Sequence, residues 1–544
     1  MVVKIVPEPV KLKTTDKFFY FDGFSNFPEF LSKEFNIPKG TWTIKKVERE
    51  GTGLKICDKT VEIWGNENIC YATLIQIIKQ TKTKLPELLV KEKFTFKFRG
   101  FHLDIARGGV PKVETFKRIL RWLFLLKYNY FAIYFEDLFP WEKYPQIGAK
   151  RGKLSVEEWR EVVEYGKNLG IEVFPSLELA GHMEHILTLP EFRKYSEWHR
   201  PAEGCLNVAD NEAREFAFSL LEEALEKTES KYIHIGGDET WAMGRGRSLD
   251  KTRIYEGPKL YADYHSELIK RVKRKNKIPV MWGDMLLGKS VREEEKELWR
   301  SVLENPIWSK ALMANWDYSP SPKEYFIEKI RVFKEKGYRQ IVCPGFSNWN
   351  RYYPDFDVAL VNIKNFTEAA KEEKVEGFMV TAWGDDGEEC LFSFLEPLLL
   401  ITMEYAEGSG EWEEKWLALT GESLEALEAR KLFGKKEVSE YIKPVLFKAV
   451  SEVKDLPVYT TWKEVLKKLE KTVLPPDLAF IKRCLEVGLR KVEGRATVME
   501  FLELASIYSD LWLSERKPEG LERIVARFWS AASQLDLEKK LSRK

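Results

Sequence analysis

From Phe96 to about residue 405 the chain repeats one texture eight times: a short run of β-branched and aromatic residues, then an amphipathic helical stretch. The runs are Phe101–Ile105, Phe131–Phe135, Ile171–Pro175, Tyr232–Ile235, Pro279–Trp282, Ala311–Trp316, Gln340–Cys343 and Gly377–Trp383. Such alternation calls for a parallel sheet with helical crossovers. Eight units over about 300 residues predict an α/β fold, a (β/α)8 TIM barrel, because such barrels take roughly 250 residues plus insertions. A doubly wound sheet would want a phosphate-binding glycine loop after its first strand, and RGFHLDIARGG has no GxGxxG.

The crossovers carry their own signals. Pro111, a good first-turn residue, opens the first helix, with Val113, Phe116, Ile119, Leu120, Leu123 and Leu126 on one face. The second starts at Ser155 and presents Val156, Trp159 and Val163. Residues 1–95 alternate in short segments, Thr41–Val47, Leu54–Ile56 and Thr60–Ile63, before a helical pattern through Leu74, Ile77 and Ile78, which predicts a small N-terminal α+β domain in a supporting role. Residues 96–405 form the barrel. Residues 406–544 lose the strand pattern and predict a helical region, with helices over Glu422–Leu432, Trp462–Leu469 and Phe480–Leu489 and a frayed end at Lys539–Lys544.

Charge decides what the chain does not resemble. Lys plus Arg number 87 and Asp plus Glu 86, a net charge of +1. That balance gives no electrostatic case for nucleic acid or an anionic membrane, so a small neutral partner is expected. The six cysteines lack CxxC pairs, and no run approaches the roughly 20 apolar residues of a membrane span, so a cytoplasmic protein with reduced thiols is expected. Lys and Glu dominate the surface-type positions, a bias of heat-adapted proteins. A homodimer is left open.

In a barrel the active site lies at the C-terminal ends of the strands. The polar and aromatic residues there are Asp104 with Arg107, Asp137, Glu178 with His182, Asp238 with Glu239, Trp282 with Asp284, Trp316 with Tyr318, Trp349 with Tyr352, and Trp383 with Asp385, Asp386 and Glu389. Four strands end in Trp with a polar partner, and aromatic faces stack on pyranose rings. The densest chemistry is KYIHIGGDETWAMGRGRSLD, Lys231–Asp250: a strand, two glycines, the adjacent carboxylates Asp238 and Glu239, then Trp241 and a GRGR turn. Adjacent carboxylates serve a metal, a turn or acid–base work. The histidines form no HxH or HExxH pattern, the closest approach being GHMEH with His182 and His185, so no metal and no cofactor are expected.

HIGGDE at His234–Glu239 resembles the signature of glycoside hydrolase family 20, the β-N-acetylhexosaminidases. RGFHLDIAR at Arg99–Arg107, FED at Phe135–Asp137, GH at Gly181 and His182, and WGDDGEE from Trp383 follow in the family's order. The resemblance covers about residues 1–400. The second-strand ending FEDLFPWEKYP differs from the family's commoner form and resembles a smaller bacterial or archaeal branch. The resemblance implies a retaining exo-acting enzyme releasing terminal GlcNAc, or GalNAc, from an oligosaccharide or glycoside, in which the sugar's 2-acetamido oxygen is the nucleophile. It implies that Glu239 is the general acid and then base, and that Asp238 orients the acetamido N–H. It further implies that Arg99 grips the ring hydroxyls, that Asp137 and His182 support the acid, and that Trp282, Trp316, Trp349 and Trp383 wall the pocket. Tyr318 or Tyr352 would bind the acetamido carbonyl, and Asp386 or Glu389 would read the far hydroxyls. The alternatives are a carbohydrate-binding barrel without turnover and a β-glycosidase for sugars lacking the acetamido group.

Overall fold

The computed structural model describes residues 3–288 and 291–541. The N-terminal part is a five-stranded sheet of β1 (Lys11–Tyr20), β2 (Thr43–Lys46), β3 (Thr52–Cys57), β4 (Thr60–Trp64) and β5 (Lys84–Glu92), in the order β1-β5-β3-β4-β2. The helix Glu67–Thr81 follows β4, with the Asn66 side chain capping it by accepting from the Ile69 N–H. β1 and β5 are absent from the sequence reading. β1 lies at the sheet edge with most of KLKTTDKFFY exposed, so no apolar alternation marks it, and its lysines suit an edge. The sheet is tied to the barrel by a buried ion pair, Lys127 Nζ to Glu92 Oε1 at 2.6 Å.

The eight predicted runs each coincide with a strand: β6 (Phe98–Asp104), β7 (Tyr130–Tyr134), β8 (Glu172–Ser176), β9 (Tyr232–His234), β10 (Ile278–Trp282), β11 (Leu312–Trp316), β12 (Gln340–Cys343) and β13 (Gly377–Ala382). All neighbours pair in parallel, and β13 closes on β6 through Met379 opposite Gly100 and Ala382 opposite Leu103. Every residue of β6, β7 and β13 is buried, because helices cover one face and the barrel interior the other. The interior fills in layers. Phe98 stacks on Tyr130 at 4.1 Å and meets Tyr232 at 5.4 Å; His102, His234 and Trp282 lie together on the interior side toward the strand ends. Register sets Asp104 opposite Tyr134, Tyr134 opposite Ser176, and Ser176 opposite His234, so these four strands end on one ring.

Two crossover helices show how sequence sets their starts. Ser155 and Glu158 form a reciprocal capping box at the head of Val156–Asn168, and the helix starts where the sequence places it. The first crossover helix begins at Val113, two residues later than Pro111 suggests. Pro111 instead bridges to Arg516 in the C-terminal region, which fixes it as extended chain.

That C-terminal region is helical to Leu541, its last helices being Val498–Glu515 and Leu521–Leu541; of the end expected to fray, residues 542–544 lie outside the described residues. It braces the loops that follow the C-terminal ends of the barrel strands. Arg516 donates to the carbonyls of Glu388 and Cys390 at 2.5 Å each, Arg523 to the carbonyl of Arg107 at 2.6 Å, and Arg527 pairs with Asp386 at 2.7 Å and with Glu389. Glu389 is almost fully buried. Arg527→Ala therefore leaves Lys443 as its remaining cation and is expected to cost about 1–3 kcal/mol, read as a lower denaturant midpoint at unchanged m.

Candidate active site

β9 ends at His234, and the next turn needs its glycines. Gly236 and Gly237 take φ of +70° and +101°, and a Cβ on Gly236 would collide with the Glu178 carboxyl. Tyr261 fixes the turn from outside, its hydroxyl donating to the Gly237 carbonyl at 2.8 Å. Glu239 also lies at positive φ, +46°, held by its N–H donating to Asp284 Oδ2 at 3.0 Å. The Trp316 indole donates to the other oxygen of Asp284 at 3.2 Å. The sequence lists Asp284 as a strand-end acid, and the structure makes it the clamp on the Glu239 backbone.

The turn aims two carboxyls at one cavity of about 190 Å³. His182 Nε2 lies 3.3 Å from Asp238 Oδ2 and 3.5 Å from Glu239 Oε2. Asp238 is buried, whereas the Glu239 side chain is 48% exposed, so the second carboxyl is the one that reaches the opening. Their electrostatics diverge. Burial pushes both up; for Asp238 the His182 imidazole overrides it, holding the carboxyl below the usual 3.8, whereas burial and then the Asp238 charge keep Glu239 above 4.5. Glu178, buried beside Asp238 with no donor to its oxygens among the described residues, is held well above the usual carboxyl range by burial and then by Asp238.

Burial would lower His182, but Asp238 pushes it up to about 10 against an ordinary 6.5. A raised folded value means that the imidazolium's contribution to stability is complete below 6.5 and lost as pH rises through 10. Melting temperature is therefore expected to fall across that window by more in the wild type than in His182→Gln.

The cavity wall is aromatic. Trp316 stacks on Tyr318 at 5.1 Å, Tyr318 meets Trp349 at 5.1 Å, and the Trp383 indole donates to the Tyr318 hydroxyl at 2.7 Å. Arg107 and Asp385 complete the lining. Arg107 is fixed by Asp104 at 2.6 Å and Glu136 at 3.2 Å, with the Asp385 carboxylate 3.9 Å away.

His182, Trp316, Tyr318, Trp349 and Trp383 thus lie at the cavity with Asp238 and Glu239. Six other expected residues do not. Arg99 stands at the N-terminal end of β6, its guanidinium bonded to the carbonyls of Phe96 at 2.7 Å and Lys127 at 2.9 Å, so the arginine of the motif that reaches the cavity is Arg107. Asp137 pairs with Arg151 instead of His182; Glu136, one residue earlier, joins Asp104 on Arg107. Trp282 is wholly buried against His102 and His234. Tyr352 is buried among Phe447, Phe480, Tyr508 and Phe528 of the C-terminal region, which leaves Tyr318 as the tyrosine of the pair at the cavity. Asp386 and Glu389 are engaged by Lys443 and Arg527, and Asp385 occupies the site expected of them. Among the described residues Glu136, Glu184 and His185 bring ligand atoms within 4.8 Å of one another, but the Arg107 guanidinium on Glu136 disfavours a cation there.

The family model described as glycosyl hydrolase family 20, catalytic domain, matches residues 96–389, over half the chain. The chain belongs to glycoside hydrolase family 20. Among similar sequences, a beta-hexosaminidase of Vibrio furnissii is 31% identical over 31% of this chain and 33% of its own length. Hexosaminidase D of Homo sapiens is 29% identical over 35% of this chain and 40% of its own. The chain spans from about a third to just over half the length of these and the next curated relatives. The fold is shared with the chitobiase of Flavobacterium johnsoniae, at 15% identity and a TM-score of 0.60 over 97% of this chain and 99% of that one.

Proposed function

We propose that this family 20 protein is a retaining exo-β-N-acetylhexosaminidase that releases terminal GlcNAc, or GalNAc, through an oxazolinium intermediate formed by the substrate itself. The observation that carries the reading is the pair of successive carboxyls, Asp238 buried against His182 and Glu239 half exposed, on one turn around one cavity. The nucleophile is then, as is general to the family, the substrate's own acetamido oxygen and not a second enzymic carboxyl. As it attacks the anomeric carbon, the C1–O bond breaks and Glu239 gives its proton to the departing oxygen; the amide nitrogen gains positive charge, which the Asp238 carboxylate stabilises by accepting its N–H. Glu239, now a carboxylate, takes a proton from the water that opens the ring.

Tyr318 suits the acetamido carbonyl, with its hydroxyl already oriented by Trp383. Arg107 and Asp385 suit vicinal ring hydroxyls. The cavity is smaller than the roughly 300–1,000 Å³ of drug-sized sites, which fits one terminal sugar and so exo action. FEDLFPWEKYP supports the smaller branch of the family, and a Lys- and Glu-rich surface with free cysteines fits a heat-adapted cytoplasmic protein. The test is turnover of aryl β-GlcNAc, β-GalNAc and β-glucoside, with and without a thiazoline analogue of the intermediate. GlcNAc turnover blocked by the thiazoline is expected; turnover of none refutes the reading, and glucoside turnover insensitive to the thiazoline favours a different nucleophile.

A further inference from the structure

Arg107 and Asp385, the two charged groups suited to the ring hydroxyls, come from different loops, one after β6 and one after β13. Their own contact does not set their spacing. Arg107 Nη2 lies 3.9 Å from Asp385 Oδ1, beyond hydrogen-bond reach, and the Asp385 side chain is 45% exposed. On the inner side Asp104 ties the two loops, its Oδ2 accepting from Arg107 Nη1 at 2.6 Å and from the Gly384 N–H, one residue before Asp385, at 2.8 Å. On the outer side the tie comes from the C-terminal region, which lies beyond residues 96–389 of the family match.

That outer tie is Arg523, in the first turn of the helix Leu521–Leu541. Its Nη2 donates to the Arg107 carbonyl at 2.6 Å. The same nitrogen would lie 3.2 Å from a Cβ on Gly108 and 2.9 Å from a Cβ on Gly387, and both glycines take φ of +118°. One guanidinium therefore fills a notch between the two loops, and the residue facing it on each side is a glycine. Ile524 closes the notch beside it, its Cδ1 2.8 Å from the same Gly387 position. We propose that Arg523 is a positioning residue: by holding the β6 and β13 loops to one helix, it sets the spacing at which Arg107 and Asp385 take the neighbouring 3- and 4-hydroxyls of the terminal sugar. This rests on the hexosaminidase reading above.

The test compares an aryl β-GlcNAc with its 4-deoxy analogue in wild type, in Arg523→Met, which keeps the stem and removes the donors, and in Arg523→Lys. Arg523→Met is expected to lower kcat/KM about tenfold on the aryl β-GlcNAc, mainly through KM, and no more than about twofold on the 4-deoxy analogue, which lacks one hydroxyl of the pair. Arg523→Lys should recover most of the loss. Inhibition by the thiazoline and by its 4-deoxy form reads the same comparison as affinities in a variant too slow to assay. Equal losses on both sugars, or none on either, overturn the positioning role and leave the hydrolase reading standing. A wild type that turns over neither substrate and binds neither thiazoline overturns the two together.

Discussion

Glu239→Gln is expected to lower kcat/KM for an alkyl N-acetyl-β-glucosaminide by about 10²–10⁴-fold, the usual worth of a positioned proton donor. The loss should shrink for an aryl glycoside with an acidic leaving group, because a phenolate leaves with less help. The pH profile separates this from a packing effect. Glu239 must be protonated and Asp238 ionised, so kcat/KM falls as pH drops through the Asp238 value, below 3.8, and again as pH rises through the Glu239 value, above 4.5. Glu239→Gln should erase the upper limb and keep the lower one. Equal losses for both leaving groups, with both limbs intact, would remove Glu239 from the chemistry.

Asp238→Asn is expected to cost about 10²–10³-fold in kcat, the scale of losing one preorganised electrostatic partner of the transition state. Affinity for the thiazoline should fall in step, since that compound mimics the fused five-membered ring of the intermediate, with sulfur for oxygen, and presents its nitrogen to the Asp238 carboxylate. The substitution also removes the anion that raises His182, so burial, which lowers it, then dominates and the imidazole should titrate well below the wild-type value of about 10, visible by NMR of the ring. An Asp238→Asn enzyme that keeps thiazoline affinity would show that the carboxylate does not face the acetamido group.

The barrel was legible because each strand is buried on both faces and therefore reads as an unbroken apolar run bounded by amphipathic helices. Side-chain direction was less legible. Arg99 and Arg107 belong to one motif, but β6 runs between them, so one faces the N-terminal end of the barrel and the other the cavity. Asp385, Asp386 and Glu389 differ by a few positions in a loop where Asp386, Gly387 and Glu388 all take positive φ, and no period predicts which carboxylate such a loop turns inward. Tyr352 was drawn away by aromatic partners almost 100 residues or more further along, contacts that no local pattern announces. The helical region supplying them holds the loops that carry Arg107 and Asp385 and packs on Tyr352 next to Trp349, so it bears on the site although none of its described residues lines the cavity.

The central claim is that the substrate's own acetamido oxygen attacks. It is tested most directly with aryl β-GlcNAc glycosides whose N-acyl group carries none, one, two or three fluorines, since each fluorine withdraws electron density from that oxygen without changing the leaving group. A steep, monotonic fall in kcat along the series is the expected result; a flat series, with the β-glucoside turned over as fast, would contradict it.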